Sequence, residues 1–301
     1  MRSSRSLWSA AVLASAVLGA GCVTPILESL EEPLIFRPRT LDLREAKALA
    51  SGNHIEEVRV ATTEGVTLHG WLKRPDDWHP GERHRLVIIY GGVGQEVSEF
   101  ARRAHASGPW GWLMINYRGF GLSGGSPSER TVLGDAKRIY DWAATRPDID
   151  TANIVVLGRS LGSYVAIAVA AARKVRAAIL ATPFDSAAAL GEEHFHWLPL
   201  PFARLMQSRY NPGLIAPLVT VPALFLLAEK DDVTPVKNGL ALARRWGGTV
   251  KTVLLPGIGH SGVERHDEFW DSIAQFLATL DNPPPPALAM SPSAAAPSTN
   301  K

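Results

Sequence analysis

The sequence predicts an α/β fold in which a mainly parallel, eight-stranded sheet carries helices on both faces. Three observations lead there: an alternating hairpin near residue 60, six continuous β-rich runs after it, and helical patterns between most of those runs. Glu57 to Ala61 and Thr67 to Lys73 alternate polar and apolar residues around Glu64-Gly65, as an antiparallel pair does. The later runs are Leu86 to Tyr90, Trp112 to Tyr117, Ile154 to Leu157, Ala177 to Ala181, Ala223 to Ala228 and Thr249 to Leu255. Such uninterrupted β-rich runs suit strands covered on both faces. Helical patterns fall at about 95–106, 130–145, 161–172, 236–246 and 264–279. Right-handed crossovers bring the ends of all parallel strands to one edge, where ligands bind.

The folded domain is expected over residues 52–281. Before it, Arg2 and Arg5 precede an apolar run from Leu7 to Gly21, the pattern of an export signal over 1–21 and too short to span a bilayer comfortably. Residues 22–51 then read as a tether containing Pro25, Pro33 and Pro38. From Asn282 to Lys301 four successive prolines and few large apolar residues predict a disordered tail. No internal repeat is apparent.

The 301 residues are 46% hydrophobic and carry a net charge of +2, so no global field favours nucleic acid, and nucleic acid is not expected as a partner. The single cysteine, Cys22, rules out an intramolecular disulfide framework and a cysteine-based zinc site. His194 and His196 lack further ligands of clear spacing, so no metal is expected, and no motif calls for a cofactor: no P-loop and no dinucleotide fingerprint follows a strand.

The chemistry-bearing stretch is Gly158-Arg159-Ser160-Leu161-Gly162, placed between a strand and an alanine-rich helix. A sharp strand-to-helix turn needs little volume on either side of the serine and lifts its hydroxyl above the sheet edge. A serine hydroxyl at neutral pH needs a base. Among nine histidines, His260 has the right setting, in the glycine-rich loop Pro256-Gly257-Ile258-Gly259-His260-Ser261-Gly262 after the last strand. The acid that orients it should come from Glu229-Lys230-Asp231-Asp232, with Asp231 first, then Asp232, then Glu229. Oxyanion donors are expected from the Leu161 amide and from Gly91-Gly92-Val93-Gly94, with Gly92 preferred and Val93 the alternative. Arg159 is left without an assignment.

The block Asn116-Tyr117-Arg118-Gly119-Phe120-Gly121-Leu122-Ser123-Gly124-Gly125-Ser126-Pro127-Ser128, followed in order by Asp135, Gly158 to Gly162, Asp231 and Gly259-His260, resembles the small serine-hydrolase branch of the α/β-hydrolases, related to serine aminopeptidase S33-type domains and depalmitoylase-like hydrolases. The resemblance covers about residues 55–280. Two positions depart from it: Tyr90 stands where relatives often carry histidine, and Ala228-Glu229 replaces a common His-Gly. The segment between Phe184 and Pro222 is expected to form a small helical lid, with Trp197, Leu198 and Phe202 lining an acyl pocket.

Leu18-Gly19-Ala20-Gly21-Cys22 resembles a bacterial lipobox, with Gly19 in place of the usual leucine. That resemblance implies lipidation of Cys22, a membrane anchor, and an outer-membrane protein facing the periplasm, a secreted protein being the alternative. The expected function is a serine hydrolase acting on a small-molecule ester, thioester or other acyl substrate through an acyl-enzyme on Ser160. The alternatives are an aminopeptidase-like peptidase and a non-catalytic binding module on the same fold.

Overall fold

The computed structural model describes residues 35–104, 108–194 and 210–281. Eight strands form one sheet: β1 (Ile55–Ala61), β2 (Thr67–Lys73), β3 (His84–Tyr90), β4 (Trp110–Ile115), β5 (Ile149–Arg159), β6 (Ala177–Ala181), β7 (Ala223–Lys230) and β8 (Val250–Gly259). Their order across the sheet is β1-β2-β4-β3-β5-β6-β7-β8. Only β2 pairs antiparallel, to β1 on one side and β4 on the other; the remaining pairs are parallel. The expected α/β sheet is therefore present, with the hairpin at one edge.

Eight α-helices accompany it among the described residues: α1 (Leu43–Ala50), α2 (Ser98–Arg103), α3 (Glu129–Ala144), α4 (Leu161–Ala172), α5 (Ala187–His194), α6 (Pro212–Ile215), α7 (Val236–Arg244) and α8 (Asp267–Asp281). Alternate residues of β3 enter opposite cores, Leu86, Ile88 and Tyr90 on one face and Val87 and Ile89 on the other. That two-residue alternation, buried on both sides, is why the strand reads as an unbroken apolar run. Val132, Ile139, Tyr164 and Leu242 from α3, α4 and α7 cover the first face. Phe100, Phe269, Ile273 and Leu277 from α2 and α8, with Ala46 of α1, cover the second.

The helix starts follow local chemistry. The Ser128 hydroxyl accepts from the Thr131 amide at 3.2 Å while Thr131 Oγ1 accepts from the Ser128 amide at 2.9 Å, a reciprocal cap for α3. Asp42 caps α1 by accepting the Arg44 amide at 2.7 Å.

One expected boundary moves. Residues 35–51, read as part of the tether, are folded onto the domain. Phe36 is 1% exposed and joins the first core, where its ring meets Tyr210 edge-on with centroids 6.3 Å apart. The carbonyls of Phe36 and Arg39 accept the amides of Gly94 and Gly121 at 2.8 and 2.7 Å. The prolines suggested an open tether, but Phe36, Leu41 and Ala46 gain apolar cover that offsets the loss of chain freedom. This strap crosses the loops after β3 and β4, on the edge where the site lies.

The strand after Trp112 also ends early. Expected to reach Tyr117, β4 stops at Ile115 because Asn116 and Tyr117 turn out of the sheet toward Gly119 and Gly121, both at positive φ (75° and 56°). The rest of the block that carries the family resemblance is scaffold. Arg118 makes a bidentate pair with Asp135, at 2.6 and 2.9 Å, and also meets Glu64. Asn116 Nδ2 donates to Glu96 at 2.7 Å, and the Tyr117 hydroxyl donates to the Gly91 carbonyl at 3.0 Å. Together they hold the β3 loop in place.

Candidate active site

β5 runs straight into α4 with one residue between them, Ser160, at φ 52° and ψ −118°. Positive φ is a strained backbone for serine, of a kind that clusters at functional sites. Two close approaches impose it. A Cβ on Gly158 would lie 2.1 Å from the Gly162 carbonyl oxygen, and a Cβ on Gly162 would lie 2.0 Å from that of Tyr90. The bracketing glycines are thus required by backbone packing between α4, β5 and the end of β3. Replacing Gly162 by alanine is expected to lower unfolding free energy by about 3 kcal/mol, since backbone must shift to admit the methyl. Gly134→Ala serves as control: that glycine, exposed within α3, has nothing within 4 Å of an added Cβ, so a gain of about 0.5 kcal/mol is expected. Urea midpoints of the two variants check both signs.

The elbow is held by backbone. Ser160 N donates to the Ala181 carbonyl at 2.9 Å, and the Ser160 carbonyl accepts the Ser163 amide at 2.8 Å and the Ser163 hydroxyl at 2.6 Å. The Ser160 hydroxyl itself lies 3.1 Å from His260 Nε2. His260 comes from the end of β8, where Gly257 at φ 71° turns the chain. Its other ring nitrogen, Nδ1, lies 2.9 and 3.0 Å from the two carboxylate oxygens of Asp231. Serine, histidine and aspartate therefore form one hydrogen-bonded chain, and all three are at least nine-tenths buried.

Asp231 is the acid that reaches His260. Glu229 instead accepts the Gly257 amide at 2.7 Å, bracing the histidine loop from outside. Asp231 Oδ1 also accepts the amides of Val233 and Thr234, at 2.9 and 2.7 Å. Burial alone would raise the Asp231 pKa. Hydrogen bonds and charge from His260, with the two amides, outweigh it and hold the carboxyl below its usual range. Thr234, which sequence reasoning missed, adds a third support: its hydroxyl lies 3.0 Å from Asp231 Oδ2, 3.0 Å from the Thr182 carbonyl and 3.2 Å from His260 Nδ1. Its only sequence signal was its place three residues after the acid.

The expected oxyanion donors fare differently. Leu161 opens α4, where the first amides of a helix have no intrahelical acceptor and the helix dipole is positive. Gly92 lies against the elbow, since a Cβ there would be 3.3 Å from Ser160 Cβ. Its N–H, however, donates to Gln95 Oε1 at 2.9 Å, so in this arrangement the amide is committed rather than open. The reason is a tight turn in which the Gln95 amide also returns to the Gly92 carbonyl, at 3.2 Å, leaving the side chain folded back over Gly92. Val93, the alternative, is 40% exposed at the tip of that turn.

Trp197, Leu198 and Phe202, expected in an acyl pocket, lie outside the described residues, as does Cys22. The segment that contains the three leaves and returns at one place. The Ala187 amide donates to the Tyr210 carbonyl at 3.0 Å, and the Tyr210 amide donates to Glu129, whose Oε1 also accepts the Tyr164 hydroxyl at 2.7 Å. Tyr164 sits in the first turns of α4, so this insertion is rooted beside Ser160. Among the described residues no cluster of three His, Cys, Asp or Glu side chains is arranged to hold a metal ion, and no helix is long and apolar enough to cross a membrane.

No family model matches the chain. An uncharacterized protein of Mycobacterium tuberculosis is 30% identical over 270 residues, spanning 88% of this chain and 94% of its own length. Protein bem46 of Schizosaccharomyces pombe is 28% identical over 237 residues, 75% of this chain and 77% of that protein, and alpha/beta hydrolase domain-containing protein 17C of Xenopus laevis is 24% identical over 209 residues, 66% and 63%. The chain belongs to the α/β-hydrolase superfamily. Solved structures agree on the fold of this α/β-hydrolase. The Pyrococcus furiosus esterase Pf2001 superposes with a TM-score of 0.61 at 18% identity, covering 82% of this chain and 97% of that one. Est1E of Butyrivibrio proteoclasticus, with ferulic acid bound, gives 0.62 at 17% identity, over 74% and 99%.

Proposed function

We propose that this α/β-hydrolase is a serine hydrolase that cleaves carboxylic ester or thioester bonds through an acyl-enzyme on Ser160. The observation that carries the proposal is the hydrogen-bonded chain from the Ser160 hydroxyl through His260 to Asp231, set on a strained elbow at the sheet edge. His260 Nε2 takes the proton of Ser160 as Oγ bonds to the substrate carbonyl carbon. It then returns that proton to the departing alcohol or thiol as the bond between the carbonyl carbon and the leaving atom breaks. A water, deprotonated by the same nitrogen, attacks the acyl-enzyme and releases the acid, with Ser160 regaining its proton. Asp231 keeps the Nδ1 proton in place and stabilises the imidazolium.

The Leu161 amide, at the positive end of α4, supplies one donor for the developing oxyanion. A second donor comes from the Gly92-Val93 turn, and since Gln95 holds the Gly92 amide, Val93 is the donor in this arrangement. Structural neighbours that are esterases favour an ester over a peptide as substrate.

Trp197, Leu198 and Phe202, in the insertion between Phe184 and Pro222, are the apolar residues proposed to bind the acyl group. With Cys22 lipidated, the protein is held at the bacterial envelope, on the periplasmic side of the outer membrane. The strap enters the domain beside the site.

Incubation of the folded protein with a fluorophosphonate probe, followed by peptide mass mapping, tests the mechanism. Covalent labelling on Ser160 is expected. Folded protein that takes no label at Ser160 overturns it.

A further inference from the structure

Arg159 immediately precedes the nucleophile yet has no part in the acyl-transfer steps. It is 7% exposed, and a buried guanidinium must be compensated. One of its terminal nitrogens donates to the main-chain carbonyl of His260 at 2.6 Å. Its Nε faces Glu264 Oε2 at 3.6 Å, too long for a hydrogen bond but close enough for strong attraction between buried charges. Neither atom has a hydrogen-bond partner among the described residues, so the two charges compensate each other through space.

Glu264, 3% exposed, lies in the short 3-10 turn Val263–Arg265 that follows the histidine loop. Its Oε1 accepts from Gln95 Nε2 at 3.3 Å, and Gln95 Oε1 accepts the Gly92 amide. The turn is fixed from behind, where the Trp270 indole donates to the Glu264 carbonyl at 2.8 Å. A continuous buried polar path thus joins the three loops that carry the chemistry: the Gly92 turn after β3, the serine elbow after β5 and the histidine loop after β8.

We infer that Arg159, Glu264 and Gln95 are positioning residues, a relay that holds the histidine loop and the Gly92 turn in register with Ser160. The inference rests on the acyl-enzyme reading above. The relay acts through placement, since none of the three contacts the reacting atoms. A guanidinium suits the task because it reaches a carbonyl and a carboxylate at once from a planar fork, which an ammonium does not. Catalysis is sensitive to such placement: an error near 1 Å can cost roughly a hundredfold in rate.

The test compares the wild type with Arg159→Lys and with the double variant Arg159→Met/Glu264→Met, using p-nitrophenyl acetate as probe substrate with thermal melting. Arg159→Lys is expected to lower kcat roughly tenfold with KM nearly unchanged. The double variant removes both buried charges. It is expected to melt near the wild-type temperature yet keep kcat down at least about tenfold, because packing is restored and registration is not. If kcat recovers together with melting temperature in the double variant, the residues are structural ballast and the relay is overturned. If Arg159→Lys keeps wild-type kcat, the relay is likewise overturned. Fluorophosphonate labelling separates the two levels. A folded wild type that takes no label on Ser160 sinks the acyl-enzyme reading, whereas a labelled wild type with unimpaired variants sinks only the relay.

Discussion

Ser160→Ala is expected to abolish ester hydrolysis, lowering kcat by about six orders of magnitude, while leaving the fold intact. The separation follows from how the residue is held. Its backbone carries the elbow through Ala181 and Ser163, whereas among the described residues its hydroxyl bonds only to His260. Alanine keeps the Cβ and tolerates the same φ no worse than serine does. Without the hydroxyl no acyl-enzyme forms, and what remains is the modest acceleration that binding and the oxyanion donors give to direct attack by water. Circular dichroism and the melting curve should match the wild type. A folded variant that hydrolyses p-nitrophenyl acetate within tenfold of the wild-type rate would place the nucleophile elsewhere.

Asp231→Asn is expected to lower kcat by about four orders of magnitude, with a smaller effect on KM. Asparagine is nearly isosteric, so the loop can keep its turn through a side-chain oxygen that accepts the Val233 and Thr234 amides. That oxygen then leaves the amide nitrogen facing His260 Nδ1, and a donor there drives the imidazole toward the tautomer with its proton on Nε2. A histidine protonated at Nε2 cannot take the Ser160 proton. The carboxylate's charge, held below its usual pKa in the folded protein, is also lost as a partner for the imidazolium. Thr234, whose hydroxyl reaches both Asp231 and His260, does not replace it because it carries no charge. Steady-state kinetics of the variant, with a melting curve to show folding, distinguishes this from simple loss of structure. A loss smaller than about tenfold would mean that Glu229 or Asp232 serves in its place.

The chemistry-bearing residues were legible because each is tied to a local pattern. Gly158 and Gly162 are demanded by backbone contacts at 2.1 and 2.0 Å, which makes the spacing around Ser160 a direct imprint of an elbow. The β-rich runs were equally plain, since both faces of β3 to β7 are buried. Local pattern does not separate the three acids of Glu229 to Asp232, because they stand next to one another where β7 ends. Only the bend at Val233 and Thr234 turns Asp231 inward and leaves Glu229 against Gly257.

Residues 35–51 fold onto the domain for a reason of another kind. Pro38 and the short apolar spacing look like a linker when read along the chain. What holds them is contact with distant residues: Phe36 with Tyr210, and strap carbonyls with Gly94 and Gly121. Contacts of that kind leave no periodicity behind.

By itself the sequence determined the sheet, its order of strands and helices, and the serine, acid and histidine brought to one edge, because these follow from side-chain periodicity and from steric limits within a few residues. Tertiary structure alone decided that the Gly92 amide is held by Gln95, that the strap closes beside the site, and that Arg159 ties the serine elbow to the histidine loop. The Arg159 bond to His260 spans 101 positions and the Gln95 bond to Glu264 spans 169. Their geometry exists only once the crossovers have packed, so no local pattern encodes it.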